Sequence, residues 1–360
     1  MGLRCGLIGL PGCGKTTIFN ALTAAGANAF TASESNVASV PVPDSRIVKL
    51  VKMYNAPKIV PAMLDVVDIP GLASGSTAEE GRGSKLLAHI KDVDALLHVV
   101  RSFEDANVPY ANDTVDPVRD VQTIDLELVV ADSQTVENKI IRISKKARTG
   151  DKDAQKEVAA CEKVLRGLNE GIPARKQGLD EAEKKAVREC NLHSLKPQIY
   201  VANIKDVADA DNRHVKALAR VADAEGAELV VICGRDEAEI AMMDSVDQAM
   251  FLAELGLGES SRERLMHAAR RALGLVNFIT AGEKEVHIWT CRSGDKAPVA
   301  AGKIHTDMEK GFIRMEVIRY EDLVTLGSET AVARAGKQRV EGKDYIVQEG
   351  DIVGVRFNKS

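Results

Sequence analysis

Aromatic residues make up only 4% of this chain, too few for the stacking platforms that hold unpaired bases. Its cysteines, Cys5, Cys13, Cys161, Cys190, Cys233 and Cys291, include no C-x-x-C pair. Neither a zinc site nor a disulfide framework is expected, and most of them suit small buried positions in a reducing compartment. No apolar run reaches the length of a membrane span, and no signal-peptide pattern is present. Met1-Gly2 is followed by Gly6 where myristoylation needs Ser or Thr. The formal net charge is only −5, so contact with nucleic acid would need a local basic patch. A cytoplasmic protein without membrane contact is expected, and nothing requires more than a monomer.

What is present begins at once. An apolar segment, Leu3 to Ile8, runs into Gly9-Leu10-Pro11-Gly12-Cys13-Gly14-Lys15-Thr16 and then a helical run from Thr17 to Leu22. This is G-x-x-x-x-G-K-T between a strand and a helix. Its glycines turn successive amides toward a polyphosphate at a helix N-terminus. Lys15 would reach the β/γ-phosphates and Thr16 would coordinate Mg²⁺. A ligand-free glycine turn is the plain alternative, and the complete motif in its strand–loop–helix context argues against it. Cys13 inside the loop is either a redox-sensitive thiol or a tolerated small side chain.

Asp68-Ile69-Pro70-Gly71 follows the next long strand pattern, where D-x-x-G holds Mg²⁺ through Asp68 and offers the Gly71 amide to the γ-phosphate. Leu72 stands where Ras-like enzymes place a water-orienting Gln, so slow hydrolysis is expected. Asn203-Ile204-Lys205-Asp206 ends a later strand with the spacing of a guanine-reading N-K-x-D, although Ile204 replaces its Lys. Asp206 either accepts from guanine or caps a helix. Cys233-Gly234 follows the next strand, at the place of a base-packing loop.

The hydrophobic pattern alternates strands and helices up to about Pro117 and again after Pro197, as a parallel α/β sheet requires. Between them the chain is charged and helical in period. One apolar stripe comprises Leu126, Val129, Val136, Ile140 and Ile143; another comprises Val158, Cys161, Leu165 and Leu168. Thr149-Gly150-Asp151 between them predicts a turn and hence a coiled-coil hairpin. Short β-branched segments with glycine turns predict a β-rich C-terminal end. Lys139, Arg142, Lys145, Lys146 and Arg148 along the hairpin, and Arg334, Lys337, Arg339 and Lys343 near the end, are solvated faces or phosphate contacts. His305 suits a hydrogen-bonded structural position.

Taken with Val42-Pro43-Asp44-Ser45-Arg46, Val115-Asp116-Pro117-Val118-Arg119-Asp120, Glu237-Ala238-Glu239, Ala300 to Asp307, Gly311 to Arg314 and Glu341 to Tyr345, these motifs resemble the YchF family. These are Obg-like P-loop ATPases of the translation-factor class, and the resemblance spans almost the whole chain. It implies a G domain over 1–120 and 193–274, a coiled-coil insertion over 121–192, and a β-grasp, TGS-like domain over 275–360. It also implies Mg²⁺, ATP by preference with GTP as the alternative, and ribosome or ribosomal RNA as partner through the hairpin and TGS-like domain. The implied site comprises Lys15 and Gly71 for catalysis and Thr16 and Asp68 for the metal. Gly9, Pro11, Gly12, Cys13, Gly14, Lys15, Thr16, Thr17, Asn203, Ile204, Asp206, Cys233 and Gly234 would bind the nucleotide. Three positions depart from the family pattern: Asp206 replaces a Glu, Ala32 a switch-loop Thr, and Tyr110 a His implicated in hydrolysis. Tyrosine, with a pKa near ~10, is a poor base at neutral pH. A binding module with little turnover is therefore the competing expectation; a metabolic kinase lacks an assembled acceptor site and base.

Overall fold

A computed structural model of the chain describes residues 3–23, 29–30, 36–70, 82–110, 112–243, 245–254 and 258–358. The fold divides into two compact units, residues 1–40 with 65–265 and residues 41–64 with 266–360. In chain order the first elements are β1 (Arg4–Ile8), α1 (Lys15–Thr23), β2 (Ala29–Phe30), β3 (Asn36–Val42) and α2 (Arg46–Tyr54). Then come β4 (Lys58–Val60), β5 (Ala62–Asp68), α3 (Arg82–Lys91), β6 (Ala95–Arg101), α4 (Pro117–Arg148), α5 (Lys152–Asn169) and α6 (Glu181–Val187). β7 (Gln198–Asn203), α7 (Arg213–Glu225), β8 (Leu229–Ile232), α8 (Gly234–Ile240), α9 (Ser245–Glu254) and α10 (Ser261–Ala272) follow.

The first unit is built on a seven-stranded sheet in the order β2-β3-β5-β1-β6-β7-β8. β1 pairs in parallel with both β5 and β6, and β6–β7 and β7–β8 continue in parallel. Every residue of β6 and β7 is buried, as expected of parallel strands covered on both faces. One core layer includes Ile8, Leu10, Val67, Ile90, Leu96 and Leu128. A second includes Val100, Val121, Tyr200, Ile204, Val215 and Cys233. The carboxyl ends of β1, β5, β6, β7 and β8 thus surround the phosphate loop, where ligands of open α/β sheets sit.

α4 and α5 form the helical hairpin inserted between β6 and β7. Asp116 caps α4, accepting the Val118 and Arg119 amides at 3.1 and 3.2 Å, and Pro117 begins the helix. Asp151 caps α5 through the Asp153 and Ala154 amides. The hairpin core contains Val129, Val136, Cys161, Val164 and Leu168. Leu126, read from sequence as part of the stripe, is 56% exposed, because it lies at the edge of the face those residues share. At the root of the hairpin, Arg175 donates to Asp125 at 2.7 and 2.8 Å and to Glu225 at 3.3 Å. Lys176 pairs with the same two carboxylates. No helix among the described residues is long and apolar enough to cross a membrane.

The second unit contains β9 (Leu275–Ala281), β10 (Glu285–Arg292), α11 (Ala297–Ile304), α12 (Thr306–Lys310), β11 (Phe312–Arg319), α13 (Tyr320–Leu326) and α14 (Glu329–Arg334). It also contains β12 (Arg339–Glu341), β13 (Asp351–Phe357), α2 and β4. Its six-stranded sheet runs β12-β11-β13-β9-β10-β4. The sequence placed residues 41–64 within 1–120; here they group with the C-terminal unit, where β4 pairs in parallel with β10. Arg46 fixes the excursion by binding both Asp44 and Glu349, and Glu349 also binds Arg270. The C-terminal end also carries four helices that the β-rich reading did not distinguish.

Candidate nucleotide site

The phosphate loop joins β1 to α1 with the local geometry its glycines allow. Gly12 and Gly14 have φ of +77° and +95°, in the left-handed region that side chains disfavour. Space forbids them too: a Cβ on Gly12 would collide with the Pro109 carbonyl, and one on Gly14 with the Asn203 amide. The Cys13 amide donates to the Leu10 carbonyl at 3.2 Å, and the Ile18 amide to the Gly14 carbonyl at 3.0 Å. Gly12, Thr16 and Thr17 are exposed, Pro11, Gly14 and Lys15 half-buried, and Gly9 buried.

Thr16 Oγ1 lies 3.5 Å from Asp68 Oδ2, at the end of β5. These are hard oxygen donors of the kind Mg²⁺ takes beside phosphate and water, so the residues present fit that ion. Burial raises the Asp68 carboxyl above its usual range; the Lys15 charge and the Thr16 hydroxyl oppose the shift. No group of three or more His, Cys, Asp or Glu side chains suited to a metal occurs among the described residues. Gly71, Leu72 and Ala32 lie outside the described residues.

Asn203 is 5% exposed and joins two loops. Its Nδ2 donates to the Cys13 carbonyl at 2.9 Å, and its Oδ1 accepts the Gly234 amide at 3.3 Å. Cys233 Sγ lies 3.2 Å from the Lys205 carbonyl. Ile204 is 4% exposed and packs into the core with Val215 and Leu218, so its side chain shapes the loop without offering it a surface. Asp206 Oδ1 accepts the Ala208 amide at 2.8 Å, capping a short 3-10 turn. Burial pushes the Cys13 and Cys233 thiols each up to about 11, which removes the basis for a reactive Cys13.

Arg101 and Tyr110 organise the opposite wall. Arg101, the last residue of β6, is 2% exposed. It donates to the carbonyls of Phe103, Asp105, Val108 and Pro109 at 2.9–3.4 Å. Its guanidinium lies 4.6 Å from the Phe103 ring centre and 4.7 Å from that of Tyr110. The segment so folded places the Pro109 carbonyl against Gly12 and carries Asp105, which binds Lys205 at 2.9 Å. Tyr110 donates its hydroxyl to the buried Asp120. Burial and that carboxylate hold the phenol above its ordinary range, so Tyr110 is a neutral donor and a tether. Sequence reasoning missed Arg101; its only signal was a charged residue ending an apolar strand.

The basic clusters are less available than their sequence suggests. Lys139 is 4% exposed and binds Glu157 and the Ala186 carbonyl, each at 2.6 Å. This removes it from the solvated face, because its charge is consumed inside the hairpin. Arg142 faces Glu189 and Lys146 faces Asp151, while Lys145 and Arg148 are exposed. In the C-terminal unit, Arg339 binds Glu341 and Tyr345, and Lys337 binds Asp322. His305 Nδ1 accepts the Asp307 amide at 3.1 Å, a cap for α12.

Residues 4–146 match the family model MMR_HSR1, described as 50S ribosome-binding GTPase. Residues 275–358 match YchF-GTPase_C, described as a protein of unknown function (DUF933). The Bacillus subtilis protein named ribosome-binding ATPase YchF is 44% identical over 365 residues, covering 99% of this chain and 100% of that one. Its namesake from Escherichia coli O157:H7 is 42% identical over 362 residues, with the same coverage. The solved structure of the Schizosaccharomyces pombe YchF GTPase aligns with a TM-score of 0.87 at 33% identity, covering 99% of this chain and 98% of that one. With the phosphate loop, the D-x-x-G strand and the inserted hairpin in place, and with full-length identity of this order, the chain belongs to the YchF family.

Proposed function

We propose that this chain is a cytoplasmic, monomeric hydrolase of purine nucleoside triphosphates, ATP by preference and GTP as the alternative. Turnover is slow and Mg²⁺-dependent, and the nucleotide state sets association with the ribosome or ribosomal RNA through the hairpin and the C-terminal unit. The observation that carries the reading is the convergence of Lys15, Thr16 and Asp68 at a phosphate loop braced by Asn203. The names of the curated relatives, ribosome-binding ATPases, support the activity and the partner.

Gly9 to Thr17, with α1 behind them, would wrap the phosphates in amides, with the Lys15 ammonium on the β/γ-oxygens. Thr16 and Asp68 would hold Mg²⁺, which when bound neutralises phosphate charge and orients the γ-phosphoryl group. The Gly71 amide would meet the γ-phosphate. Asn203 and Gly234 hold the base-facing loops against the phosphate loop. Asp206 Oδ1 accepts the Ala208 amide, which supports the cap reading of this residue, and the names of the relatives support ATP. Tyr110, locked to Asp120, supplies no base for the attacking water, and that favours the second reading, a binding module with little turnover.

Titrations with ATP and GTP, with and without Mg²⁺, and single-turnover assays of the chain and of Lys15→Ala test these readings. Turnover abolished by Lys15→Ala supports the hydrolase; nucleotide binding with no hydrolysis above the uncatalysed rate supports the module. Cosedimentation with ribosomes in apo and triphosphate-bound states tests the partner, and no association in either state rejects it. Asp206→Glu should leave the ATP/GTP affinity ratio within roughly threefold, as for a cap; a larger shift would return Asp206 to base reading.

A further inference from the structure

The C-terminal end of α3 is held by the chain segment that returns from the hairpin to β7. His193 Nε2 lies 3.1 Å from the Leu87 carbonyl of α3, and His193 Nδ1 lies 2.8 Å from Asp132 Oδ1 of α4. The ring therefore sits as a strut between the two helices. Asp132 is fully buried and also accepts the His193 amide at 2.9 Å, the Ser194 amide at 2.7 Å and the Ser194 hydroxyl at 2.6 Å. Ser194 Oγ in turn accepts the Ala174 amide, beyond α5, at 3.0 Å. Beside the strut, Asn191 Nδ2 and Lys196 Nζ donate to the Lys91 carbonyl at 3.2 and 3.1 Å.

α3 follows β5, the strand that ends in Asp68. If α3 shifts with nucleotide, this end cannot slip past the hairpin without breaking the His193 ring's contact with Leu87 or with Asp132, or the bonds to the Lys91 carbonyl. A hydrogen bond lost inside the protein is costly, and close-packed interiors pass displacement on instead of absorbing it. We propose that His193 is a positioning residue that carries movement of α3 into the hairpin through Asp132, so that α4 and α5 respond to the nucleotide. The inference rests on the nucleotide-dependent reading above and names the contact through which that dependence reaches the hairpin.

Hydrogen exchange of the full chain, before and after addition of Mg·ATP or Mg·GTP, tests it in unmodified protein, His193→Gln and Asn191→Ala, with nucleotide Kd measured in parallel. In unmodified protein, exchange should change in both 82–91 and 117–169. In His193→Gln the α3 change and the Kd should persist within roughly twofold, while the hairpin change should fall at least about fivefold, the span of a typical coupling. Asn191→Ala, on an exposed side chain, should keep the fold and reduce the hairpin change by roughly half, as for a partial contact. A hairpin response undiminished in both variants, or absent from unmodified protein that binds nucleotide and changes at α3, overturns the inference alone. Absence of nucleotide binding by unmodified protein overturns it together with the functional reading.

Discussion

Asn203 donates its side-chain amide to the carbonyl of Cys13 at 2.9 Å while its own side-chain oxygen accepts the Gly234 amide at 3.3 Å. One side chain at the end of β7 therefore ties the phosphate loop to the loop after β8. Asn203→Ala leaves two buried backbone groups unpaired, at about 1–3 kcal/mol each. Affinity for ATP and GTP should fall together, by roughly tenfold or more as 1.4 kcal/mol is lost. Titration with both nucleotides checks this; a selective loss of one would instead make Asn203 a reader of the base.

Arg101 supplies the donors that shape residues 103–110. Arg101→Met should destabilise the first unit by about 2–4 kcal/mol, since a buried side chain that bonds four carbonyls and stacks on two rings is lost. It should also weaken nucleotide binding, because the Pro109 carbonyl lies against Gly12. Arg101→Lys should restore little of either, as an ammonium lacks the planar fork that reaches separate carbonyls. Urea denaturation and nucleotide titration measure the two effects; full rescue by lysine would reduce Arg101 to a buried charge.

Tyr110 is expected to act as a tether. Tyr110→Phe removes a hydrogen bond to the Asp120 carboxylate, and about 1.5–3 kcal/mol of stability should go with it. Single-turnover hydrolysis should change by less than roughly tenfold, below the ordinary contribution of a general base. The pH–rate profile near neutrality should keep its shape, because the phenol is held above its ordinary range. A rate limb lost only in the Phe variant would make Tyr110 catalytic.

His98 gives the first unit a pH dependence. Burial pushes it down to about 4 from an ordinary value of 6.5. Between those values the unfolded chain binds a proton that the folded chain does not, so stability rises with pH and is lost as pH falls from 6.5 toward 4. The full effect is about 3 kcal/mol. The 2.5 Å contact of Gln198 Nε2 with His98 Nδ1 fits a neutral ring accepting at Nδ1. Urea midpoints across this range should fall in the unmodified chain, and His98→Asn should flatten that slope; an equal slope in both would assign it to the carboxylates.

The phosphate loop and Asp68 were legible because each depends on residues within a few positions of one another. Glycine spacing sets the loop's dihedrals, and an apolar run next to it sets the strand that presents it. Asn203 was legible as part of a spaced motif at a strand end, but its bond to Cys13 was not. Arg101 was invisible because its partners are ordinary backbone carbonyls, which any sequence supplies. Lys139 looked like a surface cation because the carboxylate that buries it, Glu157, comes from the facing helix.

Periodicity and local motif chemistry were enough to establish an α/β phosphate-binding unit, an inserted helical hairpin and a distinct C-terminal end. Folding in three dimensions alone assigned residues 41–64 to the C-terminal unit, set the Asp125–Arg175–Glu225 pairing at the hairpin root and placed His193 between α3 and α4. The division follows from range. Backbone propensity and side-chain period act over a few residues and are written in order along the chain. Ion pairs and strand pairings between distant segments depend on where the backbone arrives, and no local pattern encodes that.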